Sequence, residues 1–155
     1  MANLIKVLGT PGGQQVNTPL PVTVPVYQGA ASTIKAGMLV YTDGAHAGYW
    51  KAAVDTATTT ELINGAIAVS DSTETVSVEG TVEVIFAPVM LISIKAKTPA
   101  NLTAAMKGIA YILDVTGGSY TLDQGTATNG IFNLLDFDNT TDGNCTALLT
   151  THWRG

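Results

Sequence analysis

The chain states its own pattern twice, and that repetition limits the fold more than any single motif does. Gly37, Asp43 and Tyr49 recur as Gly108, Asp114 and Tyr120, each 71 positions later. Between these markers stands a short apolar run, Met38 to Tyr41 and then Ile109 to Leu113, followed by a Gly-containing turn. Asn64, Gly65 and Asp71 recur as Asn129, Gly130 and Asp136 at an offset of 65, as though one connection had lost six residues. Two sets of marks in the same order imply an internal duplication of strand-turn-strand units.

A chain of 155 residues suffices for one domain with a real core. Hydrophobic residues make up 46% of it and charged ones only 12%, which excludes a disordered polymer and leaves a surface polar without being ionic. That composition suits assembly subunits and extracellular appendages. A formal charge of −5 with seven scattered Lys and Arg argues against nucleic acid, because phosphate binding needs clustered cations. No run reaches the roughly 20 apolar residues of a membrane span, and the N-terminus MANLIKVLGTPGG lacks the long apolar stretch of an export signal. The expectation is a protein made in a cytoplasm without membrane contact. Cys145 stands alone and reads as buried filler rather than a nucleophile.

Residues 1–27 read differently from the rest. Leu4, Ile5, Val7 and Leu8 precede a glycine-rich turn, and NTPLPVTVPVY then carries Pro19, Pro21 and Pro25. Proline fixes φ and removes a donor, so this stretch is expected to be neither helix nor central strand. We expect an extended arm that lies on another protein surface, with an edge segment packed on its own domain as the alternative. Residues 28–155 read as a single β-rich domain, a compact barrel or sandwich, with half-repeats over about 34–88 and 106–154. Alternation in Val76, Val78, Val82, Val84 and Phe86 predicts a strand pair with one buried face, broken at Glu79 and Gly80. One short helix is expected over 99–107, capped by Thr98, with Pro99 at its first position and Gly108 at its end.

No polar constellation survives as a catalytic, metal or cofactor site. Ser32 and Lys35, Ser70 to Ser72, and Lys97 to Pro99 follow the order of serine acyltransferase elements. The first leads into a strand, however, where serine and lysine do not share a helical face, and Pro99 stands where glycine is needed. Asp138, Thr140, Asp142 and Gly143 mimic the start of a calcium loop, but its twelfth position is Leu149 instead of Glu. The stretch Asp136 to Asn144 reads as a polar hairpin tip. His46, His152 and Cys145 are too scattered for a zinc set.

The Gly-led unit Ala36 to Tyr41 with Asp43 and Gly44, the run GTVEVIFAP from Gly80 to Pro88, the segment TPANLTAAMKG from Thr98 to Gly108, and the closing unit around Asn129 and Gly130 carry a resemblance. Over about residues 28–154 the chain resembles the small capsid decoration, or cement, proteins of tailed bacteriophages. That resemblance implies a non-enzymatic β-rich homotrimer, without cofactor, on the outer surface of the virion capsid. There it would staple neighbouring copies of the major capsid protein. Placed on that background, the arm residues Leu4, Ile5, Val7, Leu8, Pro19, Leu20, Pro21, Val24 and Pro25 are the expected capsid contacts. The rival reading is a carbohydrate-binding or adhesin module that uses Tyr49, Trp50, Tyr120 and Trp153 as stacking platforms; core or trimer packing is the simpler role for these rings.

Overall fold

A computed structural model describes residues 4–9, 20–29, 33–53, 65–86, 89–128, 130–138 and 142–150. It is mainly β, with two closed five-stranded barrels in tandem. The first contains β2 (Val22–Val26), β3 (Leu39–Thr42), β4 (Trp50–Ala52), β5 (Ala66–Ala68) and β6 (Gly80–Ile85), in the cyclic order β2-β4-β3-β5-β6. The second contains β7 (Val89–Ala96), β8 (Ala110–Thr116), β9 (Ser119–Asp123), β10 (Phe132–Phe137) and β11 (Asn144–Thr150), in the order β7-β9-β8-β10-β11. A further strand, β1 (Lys6–Gly9), joins the second barrel by pairing antiparallel with β7.

The duplication is visible in every pairing within the two barrels. β2 meets β4 in parallel through Val26 and Trp50, as β7 meets β9 through Ala96 and Leu122, and all other neighbours within the barrels are antiparallel. Matching the pairs places Val24 on Ile94, Val40 on Tyr111, Trp50 on Leu122, Ala66 on Phe132 and Val82 on Cys145. The Gly37 and Gly108 match holds: both have positive φ (89° and 83°), and their N–H groups donate to Ala68 and Leu134 at 2.7 Å each. The tyrosine match falls one residue out of register, since Trp50 aligns with Leu122, 72 positions on. β5 and β10 correspond at 66 instead of 65.

Alternation decides which side chains enter each barrel. Val24, Val26, Val40, Ala66, Ala68, Val82 and Val84 fill the first, with Ile34 beside them. Met90, Ile92, Ile94, Phe132, Leu134, Cys145, Ala147 and Leu149 are buried in the second. The neighbouring positions Leu39, Ile67 and Ile85 point the other way and are buried in the second barrel's cluster. Their burial stabilises the contact between barrels by roughly 1.5–3 kcal/mol each. β1 crosses the same junction, because the Ile5 N–H donates to the Gly37 carbonyl at 2.9 Å while Val7 lies opposite Ile92.

Four expectations change. The extended arm over 1–27 is not confirmed: its described parts are β1 on the second barrel and β2 within the first, while residues 1–3 and 10–19 lie outside the described residues. Pro25 is tolerated because β2 has a continuous ladder only along β6 and touches β4 at Val26 alone. The short helix is two 3-10 turns, Pro99–Asn101 and Ala104–Met106, with Leu102 and Thr103 extended between them and no side-chain cap from Thr98. They lie inside the second repeat, between β7 and β8, so the repeats divide at 22–85 and 89–150. Val76 and Val78 belong to a bend and not to a strand. The Thr75 hydroxyl accepts from the Val78 N–H at 3.0 Å, and that local bond replaces a ladder.

Candidate interaction surfaces

The nine expected contact residues separate into three groups. Ile5 and Val24 are buried, and Leu4, Val7 and Leu8 are half-buried against the body, so these five serve the fold. Leu20, Pro21 and Pro25 are exposed, Leu20 at 87%. Pro19 lies outside the described residues. Val22, 50% exposed, belongs with the exposed group and was missed by the sequence reading. Its position in VTVPV gives no signal until the pairing with Val84 puts it at the open end of β2. Val76 and Val78 form a second apolar prominence, 72% and 61% exposed.

A groove of about 410 Å³ runs between β1 and the outer side of the first barrel, lined by Ile5, Val7, Gly37, Ile67, Val69 and Ile85 among others. Its walls are mainly aliphatic. Gly37 is required there twice over: its φ is left-handed, and a Cβ would stand 2.8 Å from the Ile5 carbonyl oxygen.

The loop after β3 gathers a polar aromatic corner. The Tyr27 and His46 rings stack at 3.7 Å, and Tyr27 meets Tyr49 edge-on at 5.3 Å. The Asp43 carboxylate lies 2.7 Å from His46 Nδ1 and 3.3 Å from Lys51 Nζ. Burial pushes the Asp43 carboxyl up, but the His46, Ala45 and Lys51 bonds outweigh it and hold the group below the usual range. Of the proposed platforms, Tyr49 and Trp50 are half-buried, Trp50 with its ring edge-on to Phe86, and Tyr120 is fully inside the core. Trp153 lies outside the described residues.

The remaining polar groups hold loops. The buried Glu74 carboxylate accepts from the Thr33 N–H at 2.6 Å and the Thr33 hydroxyl at 2.5 Å, and Ser72 Oγ accepts from the Ile34 N–H at 3.0 Å. Lys35 and Asp71, two residues of the acyltransferase-like pattern, pair with each other at 3.1 Å on the surface. In the second barrel Lys97 bridges Asp114 at 2.6 Å and Asp123 at 3.2 Å. At the hairpin tip Asp138 accepts from both the backbone and the side-chain amide of Asn144. Among the described residues no group of three or more His, Cys, Asp or Glu side chains is arranged to hold a metal, and no helix is long and apolar enough to cross a membrane.

Compared with known proteins, the chain matches no family model, no curated protein and no solved structure.

Proposed function

We propose that this chain is a structural, non-enzymatic decoration protein of a tailed-phage capsid. It would bind the outer surface of the head as a homotrimer and link neighbouring major capsid subunits. The observation that carries this reading is the apolar edge at Leu20 and Val22, exposed at 87% and 50% on a body with little surface charge. Three such edges on one trimer would add their weak contacts through high effective concentration. The described ion pairs and hydrogen bonds tie neighbouring loops and strands together, which fits a scaffold role.

The test combines mass in solution with co-sedimentation on heads lacking the protein. A species of about three times 16.0 kDa that saturates the heads is expected, and Leu20→Asp should weaken binding at least about tenfold, a loss of about 1.4 kcal/mol. A monomer with no affinity for heads would overturn the reading. A second reading, a carbohydrate-binding module, is favoured only by the stacked Tyr27 and His46 rings beside Tyr49; saturable binding on a glycan array, lost in Tyr27→Ala, would select it.

A further inference from the structure

The two barrels share one topology but differ at one seam. In the second barrel, β7 is paired with β11 along one flank from Val89 to Lys95. Its other flank is divided: Leu91, Ile92 and Ser93 face Gly9, Val7 and Lys6 of β1, and Lys95 and Ala96 face Thr121 and Leu122 of β9. In the first barrel, β2 is likewise paired with β6 along one flank from Val22 to Val26, and Val26 meets Trp50 of β4 on the other. The register that puts Val24 on Ile94 puts Val22 on Ile92 and Thr23 on Ser93. The place that β1 takes beside β7 therefore has a counterpart beside Pro21, Val22 and Thr23, and among the described residues no strand pairs there.

We infer that this flank of β2 accepts an extended strand donated by a partner protein, completing the first barrel's seam as β1 completes the second's. The molecule supplies the template for the occupant: about four residues, antiparallel to β2, aliphatic at the position matching Val7. Counting supports a foreign donor. Among the described residues each chain has two such seams and one strand, β1, outside the barrels, so exchange of β1 between copies would still leave one seam per chain without it. Strand addition draws its affinity from main-chain hydrogen bonds and its selectivity from alternate side chains; Pro21 brings no donor, so the bonds here come from Thr23 and from backbone carbonyls, and Leu20 and Val22 stand exposed beside the flank. The inference deepens the decoration reading, on which it rests only for the donor's identity, a capsid subunit.

The probe is a labelled peptide with the sequence of residues 4–9, LIKVLG, carrying a photo-cross-linker at its valine and titrated into the full chain. Saturable binding is expected, with adducts in residues 20–24, and at least about tenfold weaker binding to Leu20→Asp and Val22→Asp, about 1.4 kcal/mol. Leu20 is exposed enough that its variant keeps the wild-type melt, so the result does not depend on how Val22→Asp folds. Absence of binding, or adducts confined to residues 91–95, would overturn the proposal, the latter because the peptide would merely exchange with β1. Capture at residues 20–24 by a protein that ignores heads would uphold the seam and sink the decoration reading. Saturation of heads by the wild-type chain, with no peptide adduct in residues 20–24, would do the reverse.

Discussion

The Tyr120 hydroxyl, in the second barrel, donates a hydrogen bond of 2.7 Å to the Ala53 carbonyl in the first. Tyr120 is 2% exposed, so the bond lies in the apolar junction that also buries Leu39, Ile67 and Ile85. It is a side-chain pin in a contact made otherwise by apolar packing and by the backbone bond from Ile5 to Gly37.

Replacing Tyr120 with Phe removes the donor and leaves the Ala53 carbonyl unpaired, which should cost about 1–2 kcal/mol in urea denaturation. The phenol also gives the protein an alkaline limb. Burial, with Tyr41 nearby, pushes its pKa up to about 12. The native state keeps the proton to that value while the unfolded chain releases it near about 10. Stability should be full below about pH 10 and fall as pH rises from there to about 12. In Tyr120→Phe this limb should flatten.

Lys97 and Asp114 govern part of the acid limb. Burial pushes the Asp114 carboxyl up, but Lys97, Thr116 and Thr121 hold it below the ordinary range. A depressed native pKa gives stability that is present above the unfolded value of about 4 and is lost as pH falls through the native one. Lys97→Met should lower stability at pH 7, by less than breaking a fully buried pair would, because the lysine side chain is 44% exposed. The acid midpoint should move to higher pH. An unchanged acid midpoint would show that the pair contributes nothing.

Gly37 and Gly108 form a matched pair for substitution. Both have positive φ, but a Cβ at Gly108 meets nothing within 4 Å, whereas one at Gly37 meets β1's approach at Ile5 and Leu4. Gly108→Ala should cost about 1–2 kcal/mol from backbone conformation alone. Gly37→Ala should cost a further 1–3 kcal/mol, roughly the penalty of overpacking. Faster hydrogen exchange at the Ile5 amide in Gly37→Ala alone would identify release of β1 as the cause.

Cys145 is buried at 1% exposure, and burial, with Asp138 nearby, pushes its thiol up to about 11. At pH 8 only about a thousandth of it would be thiolate. A thiol reagent should label the native protein no faster than it unfolds and should label one thiol fully beyond the urea midpoint. Prompt labelling in buffer would contradict the burial.

The repetition in the sequence was a true guide to the fold because Gly37 and Gly108 answer a backbone requirement, positive φ before a strand, that few other residues meet. The Tyr49 and Tyr120 match misled, since one tyrosine stands at a half-exposed corner and the other pins the two barrels. Identity of side chain does not fix register when hairpins differ in length. Prolines concealed β2, because their missing donors are compatible with a strand paired mainly on one flank. The exposed edge at Val22 was not legible for a related reason: alternation assigns faces, but only pairing reveals where a strand runs out of neighbours.

The packing inside the two barrels has a consequence for how the chain folds. Ala68 lies opposite Val84 in the first, and at the equivalent place Leu134 lies opposite Ala147 in the second. The large residue is on β6 in one repeat and on β10 in the other. Two copies of one topology on a single chain invite strands to join the wrong copy. Here a β5 partnered with β11 would set alanine against alanine, and a β10 partnered with β6 would set leucine against valine. Voids and overpacking of that kind cost roughly 1–5 kcal/mol, so the repeats sort themselves by volume.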